Sequence, residues 1–283
     1  MGQASSTVLQ DAIEKYKTKI CRTKASSSCD WIPNPNVDAT RRFIGISFAG
    51  TETAVGEPFG TWSRSHIGEW YTLKDHAAFV AFGLGIPIRV AFEQNSLILA
   101  KCQQATGPVQ GEMVAAGVVT EVDPNKAKTW SHAVSEVWRF FTAFVKNVLA
   151  DGLPSWRTVF YHRIEFQSFG EKISAAMESV QPHHPSYVHW YVLVMGTHPQ
   201  HQGKGHGAEI MKHIGVLADG AGRACFLECG ESNRVFYEKM GYRIIAKETV
   251  HDPVDPKGEP LLTYAMLRTP NNNETNQNRL KHD

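Results

Sequence analysis

The chain has 283 residues, 42% of them hydrophobic and 20% charged, with 29 basic against 28 acidic side chains. That composition suits a globular protein able to bury a sizeable core, and a net charge of +1 carries no basic footprint for nucleic acid. Five cysteines (Cys21, Cys29, Cys102, Cys225 and Cys229) form no CxxC pair and no zinc spacing, which argues for a reducing, cytoplasmic setting and against a structural metal.

The first residues, "MGQASS", fit M-G-x-x-x-[ST], an N-myristoylation pattern with Gly2 as the acceptor. Lys15, Lys17, Lys19, Arg22 and Lys24 follow around Cys21. One myristoyl chain binds a membrane only marginally, and basic residues supply a second signal at an anionic leaflet. Peripheral membrane association through the N-terminus is therefore an expectation, set against a solvated leader that matches the motif by chance. Residues 1–30 read as a flexible leader, 31–268 as the folded domain and 269–283 as a disordered tail without core-forming residues.

In chain order, "VDATRRFIGISFAG" and "LKDHAAFVAFGL" have helical apolar spacing, and no apolar stretch is expected to reach the roughly 18 residues of a membrane span. "SLILAKC" and "EMVAAGVVTEV" read as two strands joined by a Gly/Pro turn. Trp130, Val134, Val137, Phe141, Phe144 and Val148 recur as one stripe of a long helix, expected to cover a sheet. "FGEKISAAMESV" predicts a further helix, and Pro182 and Pro185 bracket a loop before the strand "VHWYVLVMG". The helix "GAEIMKHIGVLADGAG", the strand "ACFLECG", the short helix "SNRVFYEKMGY" and the strands "YRIIAKETV" and "PLLTYAMLR" complete a mixed α/β chain. Antiparallel hairpins are expected around one β-α-β unit, with a helical insert over about 125–187.

Gly203, Gly205 and Gly207 stand at the entrance of the helix after "VHWYVLVMG". Glycines there let an anion approach exposed N–H groups where the helix dipole favours negative charge, and a pyrophosphate is the obvious guest. Gly203, Gly205 and Ala208 satisfy the dinucleotide pattern G-x-G-x-x-G/A, with Glu228 near the place of its ribose acid. Six residues, 197–202, separate the strand from Gly203, however, and too little sequence follows to complete a doubly wound sheet.

The second reading takes Gln202-Gly203-Lys204-Gly205-His206-Gly207 as Q/R-x-x-G-x-G/A. With "FLECGESNRVFYEKMGYRI" following, the chain resembles the GNAT N-acetyltransferase superfamily, and within it the puromycin N-acetyltransferase-like members. The resemblance is specific over about 188–245. It implies the acyl-CoA N-acyltransferase fold, a mostly antiparallel mixed sheet flanked by helices, with acetyl-CoA as co-substrate and no metal. It also implies that backbone groups of Met195, Gly196 and Thr197 take the pantetheine arm. The amides of Gly203, Lys204, Gly205, His206, Gly207 and Ala208 would take the pyrophosphate, with Gln202 opening the motif. Asn233 corresponds to a pantetheine-contacting residue, or is a helix N-cap, as is Ser232. Only three residues separate Asn233 from Tyr237, a short form shared with the puromycin-type enzymes.

Acyl transfer needs a neutral amine, a stabilised oxyanion and a protonated leaving sulfur. An amine of pKa about 10 is only ~0.1% neutral near pH 7, so a base is worth roughly 10²–10⁴-fold. Tyr237 is the candidate general acid by its place in the family pattern, or a packed tyrosine on an amphipathic helix. Glu228 is the first candidate base, followed by His198 and His189. A backbone N–H near Met195 or Gly196 would meet the oxyanion. Cys225 and Cys229 are expected to be buried fillers and not nucleophiles.

Aromatic stretches at "GEPFGTWSRSHIGEWY" and "SWRTVFYHRIEF" suggest a hydrophobic pocket for a small-molecule primary amine. Two alternatives remain at this stage: a protein or peptide N-acetyltransferase, and a non-catalytic acyl-CoA-binding module held at a membrane. The oligomeric state is not legible.

Overall fold

The computed structural model describes residues 29–33, 35–51, 54–55, 72–94, 96–103, 112–125, 130–152, 171–172, 175–252 and 258–271. Its strands are β1 (Cys29–Pro33), β2 (Gly50–Thr51), β3 (Ala54–Val55), β4 (Leu97–Gln103), β5 (Met113–Val122), β6 (His189–Thr197), β7 (Cys225–Gly230), β8 (Arg243–Val250) and β9 (Leu261–Arg268). Its helices are α1 (Val37–Ala49), α2 (Leu73–Gly83), α3 (Gly85–Glu93), α4 (Trp130–Asp151), α5 (His206–Gly220) and α6 (Glu231–Lys239). Seven strands pair in the order β1-β4-β5-β6-β7-β9-β8, and β2 and β3 form a separate ribbon.

Every pairing in the large sheet is antiparallel except β6 with β7. That is the expected mixed, mostly antiparallel sheet around one β-α-β unit, and it rules out the doubly wound dinucleotide sheet, which needs a run of parallel strands. Strand β1 and helix α3 were not among the expected elements. Pro87 sits in the first turn of α3, where its missing N–H breaks no helical bond.

Side chains alternate across the sheet, so each face has its own cover. Trp190, Val192, Leu227 and Met266 pack beneath α5 and α6 against Ile210, Ile214, Leu217 and Tyr237. On the second face, Ala116, Val118 and Val194 pack beneath α1 and α3 against Ile44 and Ile88. Phe226, Ala265 and Leu267 form a smaller cluster on that face, with Tyr191 against it.

The long helix is present as α4, but its stripe does not cover a sheet. Val137 is 70% exposed and Phe141 55%, and Phe144 is exposed too, while Ala143 and Asn147 are buried. Polar contacts account for this orientation. Arg89 of α3 donates to Asn147 at 2.8 Å, and the fully buried Arg41 of α1 pairs with Asp151 and, at 2.7 Å, with Asp38. Satisfying those buried groups turns the small face of α4 inward.

The stretch Leu73–Glu93 does have the length and hydropathy of a membrane span, contrary to the sequence expectation. It comprises two helices meeting at Leu84. Both pack in the protein, with His76, Val80, Ile88 and Arg89 buried, as in a core helix.

The segment before β6 is clamped to the far edge of the sheet. Lys172 and Asp252, both buried, form an ion pair at 2.7 Å, and His183 meets Glu248 of β8 at 2.7 Å. Removing one partner of a buried pair strands the other charge, so Asp252→Ala is expected to cost about 3–5 kcal/mol. Denaturant unfolding measures this, and a cost below about 1 kcal/mol would show that the pair is dispensable.

Candidate active site

The β6–β7 ladder is short. Trp190 pairs with Cys225 and Tyr191 with Phe226, and there the parallel pairing ends. On its other side β6 stays bonded to β5 as far as Thr197, with a register shift between Val118 and Val119 that leaves Leu193 as the extra residue. Such a bulge bends a strand and increases its twist, which turns β6 away from β7. Met195, Gly196 and Thr197 therefore lie along one limb of a fork, paired to Gly117, Ala116 and Ala115 and unpaired toward β7. Gly196 is explained by packing: a Cβ there would lie 2.8 Å from the Cβ of Ser47 on α1.

Beyond the fork, Pro199–His201 makes one 3-10 turn, and α5 begins at His206 with Gly205 as its cap. No side chain caps it, and the first helical bond runs from Glu209 to the Gly205 carbonyl at 3.1 Å. The amides of Gly205, His206, Gly207 and Ala208 consequently have no acceptor within the helix. Gly203 and Gly205 have φ of 74° and 84°. A Cβ on either would meet no protein atom, so glycine is required there for its backbone conformation. Gly207 differs: a Cβ would lie 3.1 Å from Thr197 Oγ1 and 3.7 Å from the Phe236 ring, so it joins β6, α5 and α6 at the fork.

Gln202 and Lys204 are exposed on the loop, the Lys204 ammonium 3.5 Å from His201 Nδ1. Nearby, His206 has a buried Nδ1 without a partner, and burial followed by the Lys101 charge lowers its pKa. An anion at these amides would meet positive charge and uncommitted donors.

Glu228 projects from β7 onto the second face, beside Phe226 and Tyr191. The Tyr191 hydroxyl donates to its Oε1, while Oε2 is shut off from solvent without a partner. Burial pushes the Glu228 pKa up to about 7, against the pull of the Tyr191 bond, and Tyr191 itself is raised well above the usual phenol range by burial and by the carboxylate. A carboxyl that titrates near neutrality is matched to proton transfer at neutral pH.

The two histidines do not serve as free bases. His198 is buried and its Nδ1 accepts from the Gln200 amide at 3.3 Å, capping the 3-10 turn. His189 is fully buried between the Tyr187 carbonyl and His184, with both ring nitrogens engaged, and burial lowers its pKa. Cys225 and Cys229 are buried thiols, and burial pushes the Cys225 thiol up to about 12, which fits filler and excludes a ready nucleophile.

Tyr237 lies on the opposite face from Glu228, buried and edge-on to Phe236 and Tyr242 at ring separations of 5.0 and 6.0 Å. Candidate acid and base thus approach the sheet from its two sides. Helix α6 starts directly after β7 with Gly230 as its cap, so Ser232 and Asn233 are in the first turn and neither is the N-cap. The acidic Glu231 in that turn suits the helix dipole. Sequence reasoning missed Tyr191 and His184. Tyr191 had a signal, a polar tip alternating with core residues on β6, whereas His184 sits in an irregular loop with none.

Gly2, the basic leader, both aromatic stretches proposed to line the acceptor pocket and most of the tail lie outside the described residues. Among the described residues no group of three or more His, Cys, Asp or Glu is placed to hold a metal ion.

Residues 170–244 match the acetyltransferase (GNAT) domain. The structure is similar to a histone acetyltransferase HPA2-related acetyltransferase of Corynebacterium glutamicum, with TM-score 0.42, 16% identity, and 86% of this chain and 97% of that chain covered. It is also similar to an apo agmatine N-acetyltransferase mutant, with TM-score 0.44, 14% identity, and 86% and 100% of the two chains covered. A polyamine N-acetyltransferase of Drosophila melanogaster gives TM-score 0.42 and 16% identity over 85% and 100% of the chains. The matched segment spans the fork, the glycine loop, Glu228 and Tyr237, and the sheet around it has the expected topology. Over residues 170–244 the chain is therefore similar to the acetyltransferase (GNAT) domain.

Proposed function

We propose that the chain transfers an acetyl group directly from acetyl-CoA to the primary amine of a small molecule. The observation that carries this reading is the buried Glu228 carboxyl at the fork, titrating near neutrality with one oxygen free. The unpaired limb of β6 suits the pantetheine amides, and the four orphan amides of α5 suit the pyrophosphate. Glu228 takes a proton from the amine, whose nitrogen attacks the thioester carbon, and a backbone N–H of Met195 or Gly196 meets the oxyanion. The carbon–sulfur bond then breaks, and Tyr237 gives its proton to the departing sulfur. The loop 181–188, held on β8 through His183, walls the second face and favours a small acceptor over a protein. The short Asn233–Tyr237 spacing supports the puromycin-type branch.

Thiol release with acetyl-CoA across amines, amino acids and peptides tests this reading. Turnover confined to peptides would replace it with protein acetylation, and heat with coenzyme A but no turnover would reduce it to a binding module. Gly205→Ala strains a residue at φ 84° by about 1–2 kcal/mol and moves the α5 amides, so the Kd for coenzyme A should rise about tenfold by calorimetry. Unchanged affinity would place the pyrophosphate elsewhere. We further propose that Gly2 is myristoylated and holds the cytoplasmic protein at a membrane. Mass spectrometry of the N-terminal peptide from eukaryotic cells decides this by the presence or absence of the acyl adduct.

A further inference from the structure

Between β6, β7 and the loop before β6 lies a pair of histidines that the reaction as written does not use. His189 Nδ1 is 2.8 Å from the Tyr187 carbonyl oxygen. A carbonyl only accepts, so Nδ1 carries the hydrogen. Burial lowers the pKa of the ring and so favours the neutral form, in which Nε2 has a bare lone pair. That lone pair is 3.2 Å from His184 Nδ1, which must therefore donate to it. His184 is itself held neutral, its pKa lowered to about 4 by burial and then by His189. One backbone carbonyl thus sets the tautomer of two rings in succession and leaves His184 Nε2 as a hydrogen-bond acceptor.

The place of this ring gives the acceptor a use. His184 is half-buried, with its ring 4.2 Å from that of Phe226 and edge-on to that of Tyr191 at 5.1 Å. Phe226 is two residues before Glu228 on the same face, and Tyr191 is the residue that donates to Glu228. The other ionisable neighbours are committed: His183 to Glu248 of β8, and Tyr191 to the carboxyl. On this face Glu228 Oε2, which is buried, and His184 Nε2 then remain without a hydrogen-bond partner among the described residues.

We infer that His184 is a specificity residue whose Nε2 accepts the second N–H of the attacking primary amine while Glu228 accepts the first. A neutral primary amine has two N–H bonds and one lone pair. Fixing both hydrogens aims the lone pair at the thioester carbon, an orientation effect that a single acceptor does not provide. A secondary amine lacks the second hydrogen and leaves Nε2 unpaired, so the site disfavours N-methylated acceptors. The inference rests on the acetyl-transfer reading above.

Two measurements on the full chain test it. Nitrogen NMR of the imidazoles, with His184 assigned by its loss in His184→Phe, should show Nε2 as the pyridine-type nitrogen and Nδ1 as the protonated one. The reverse tautomer overturns the inference without reference to activity. His184→Phe keeps a ring on Phe226 but removes the acceptor. It should lower kcat/KM for the best primary amine about tenfold to a hundredfold and shrink the preference over its N-methyl analogue by a similar factor. Wild-type turnover that Glu228→Gln abolishes but His184→Phe leaves unchanged in rate and preference would sink this inference alone. No wild-type turnover with any amine would sink both readings.

Discussion

Glu228→Gln should lower kcat by roughly 10²–10⁴-fold, the usual contribution of a positioned base, while leaving coenzyme A affinity unchanged. The substitution is close to isosteric, and its amide oxygen still accepts from Tyr191. In the wild type, kcat/KM should rise with pH through about 7 as the carboxylate forms, and that limb should vanish in the variant. The same shift has a stability consequence of opposite sign. The folded pKa, about 7, lies above the ordinary carboxyl value of 4.5, so the fold favours the protonated form. This contribution is complete below about pH 4.5 and is lost as pH rises through 7, amounting to roughly 3 kcal/mol at most. Gln cannot ionise, so the variant should melt higher than the wild type at pH 8 to 9, with the gap closing toward pH 5. A variant that keeps its rate and its pH limb would move the base elsewhere, and a melting gap independent of pH would contradict the buried, raised carboxyl.

Tyr237→Phe is the second large effect. Its ring packs edge-on to Phe236 and Tyr242, and phenylalanine retains that packing, so the melting temperature should change little. The loss is confined to one hydroxyl proton, and kcat should fall about 10²–10³-fold with unchanged coenzyme A heat. Full activity in Tyr237→Phe would make Tyr237 a core residue only and leave sulfur protonation to solvent. Together the two variants separate proton removal on one face of the sheet from proton delivery on the other.

Much of this site is local in character, which is why it was legible before the fold. Three glycines before a helical period, a strand just upstream and "FYEKMGY" downstream are short-range patterns, and the elements that carry them formed where expected. The reasons were less legible than the residues. Gly203 and Gly205 are required for positive φ, Gly207 for close packing and Gly196 for the approach of α1 at Ser47, distinctions that spacing alone does not make. The stripe on α4 shows the converse. Its period predicts the helix correctly but not what faces the core, because buried Arg41 and Arg89 recruit the polar Asn147 and Asp151 side.

By itself, the order of residues determined most of the helices and strands, the likeness to the GNAT domain and the glycine loop, because 3.6- and 2-residue periods and turn chemistry act over a few neighbours. The three-dimensional fold alone decided where the β6–β7 ladder ends, that Glu228 is desolvated beside Tyr191, and that His198 and His189 are committed to other bonds. A pKa and a hydrogen-bond partner depend on atoms from chain-distant elements such as Tyr191 and Glu228, 37 residues apart, which meet only once the sheet is assembled.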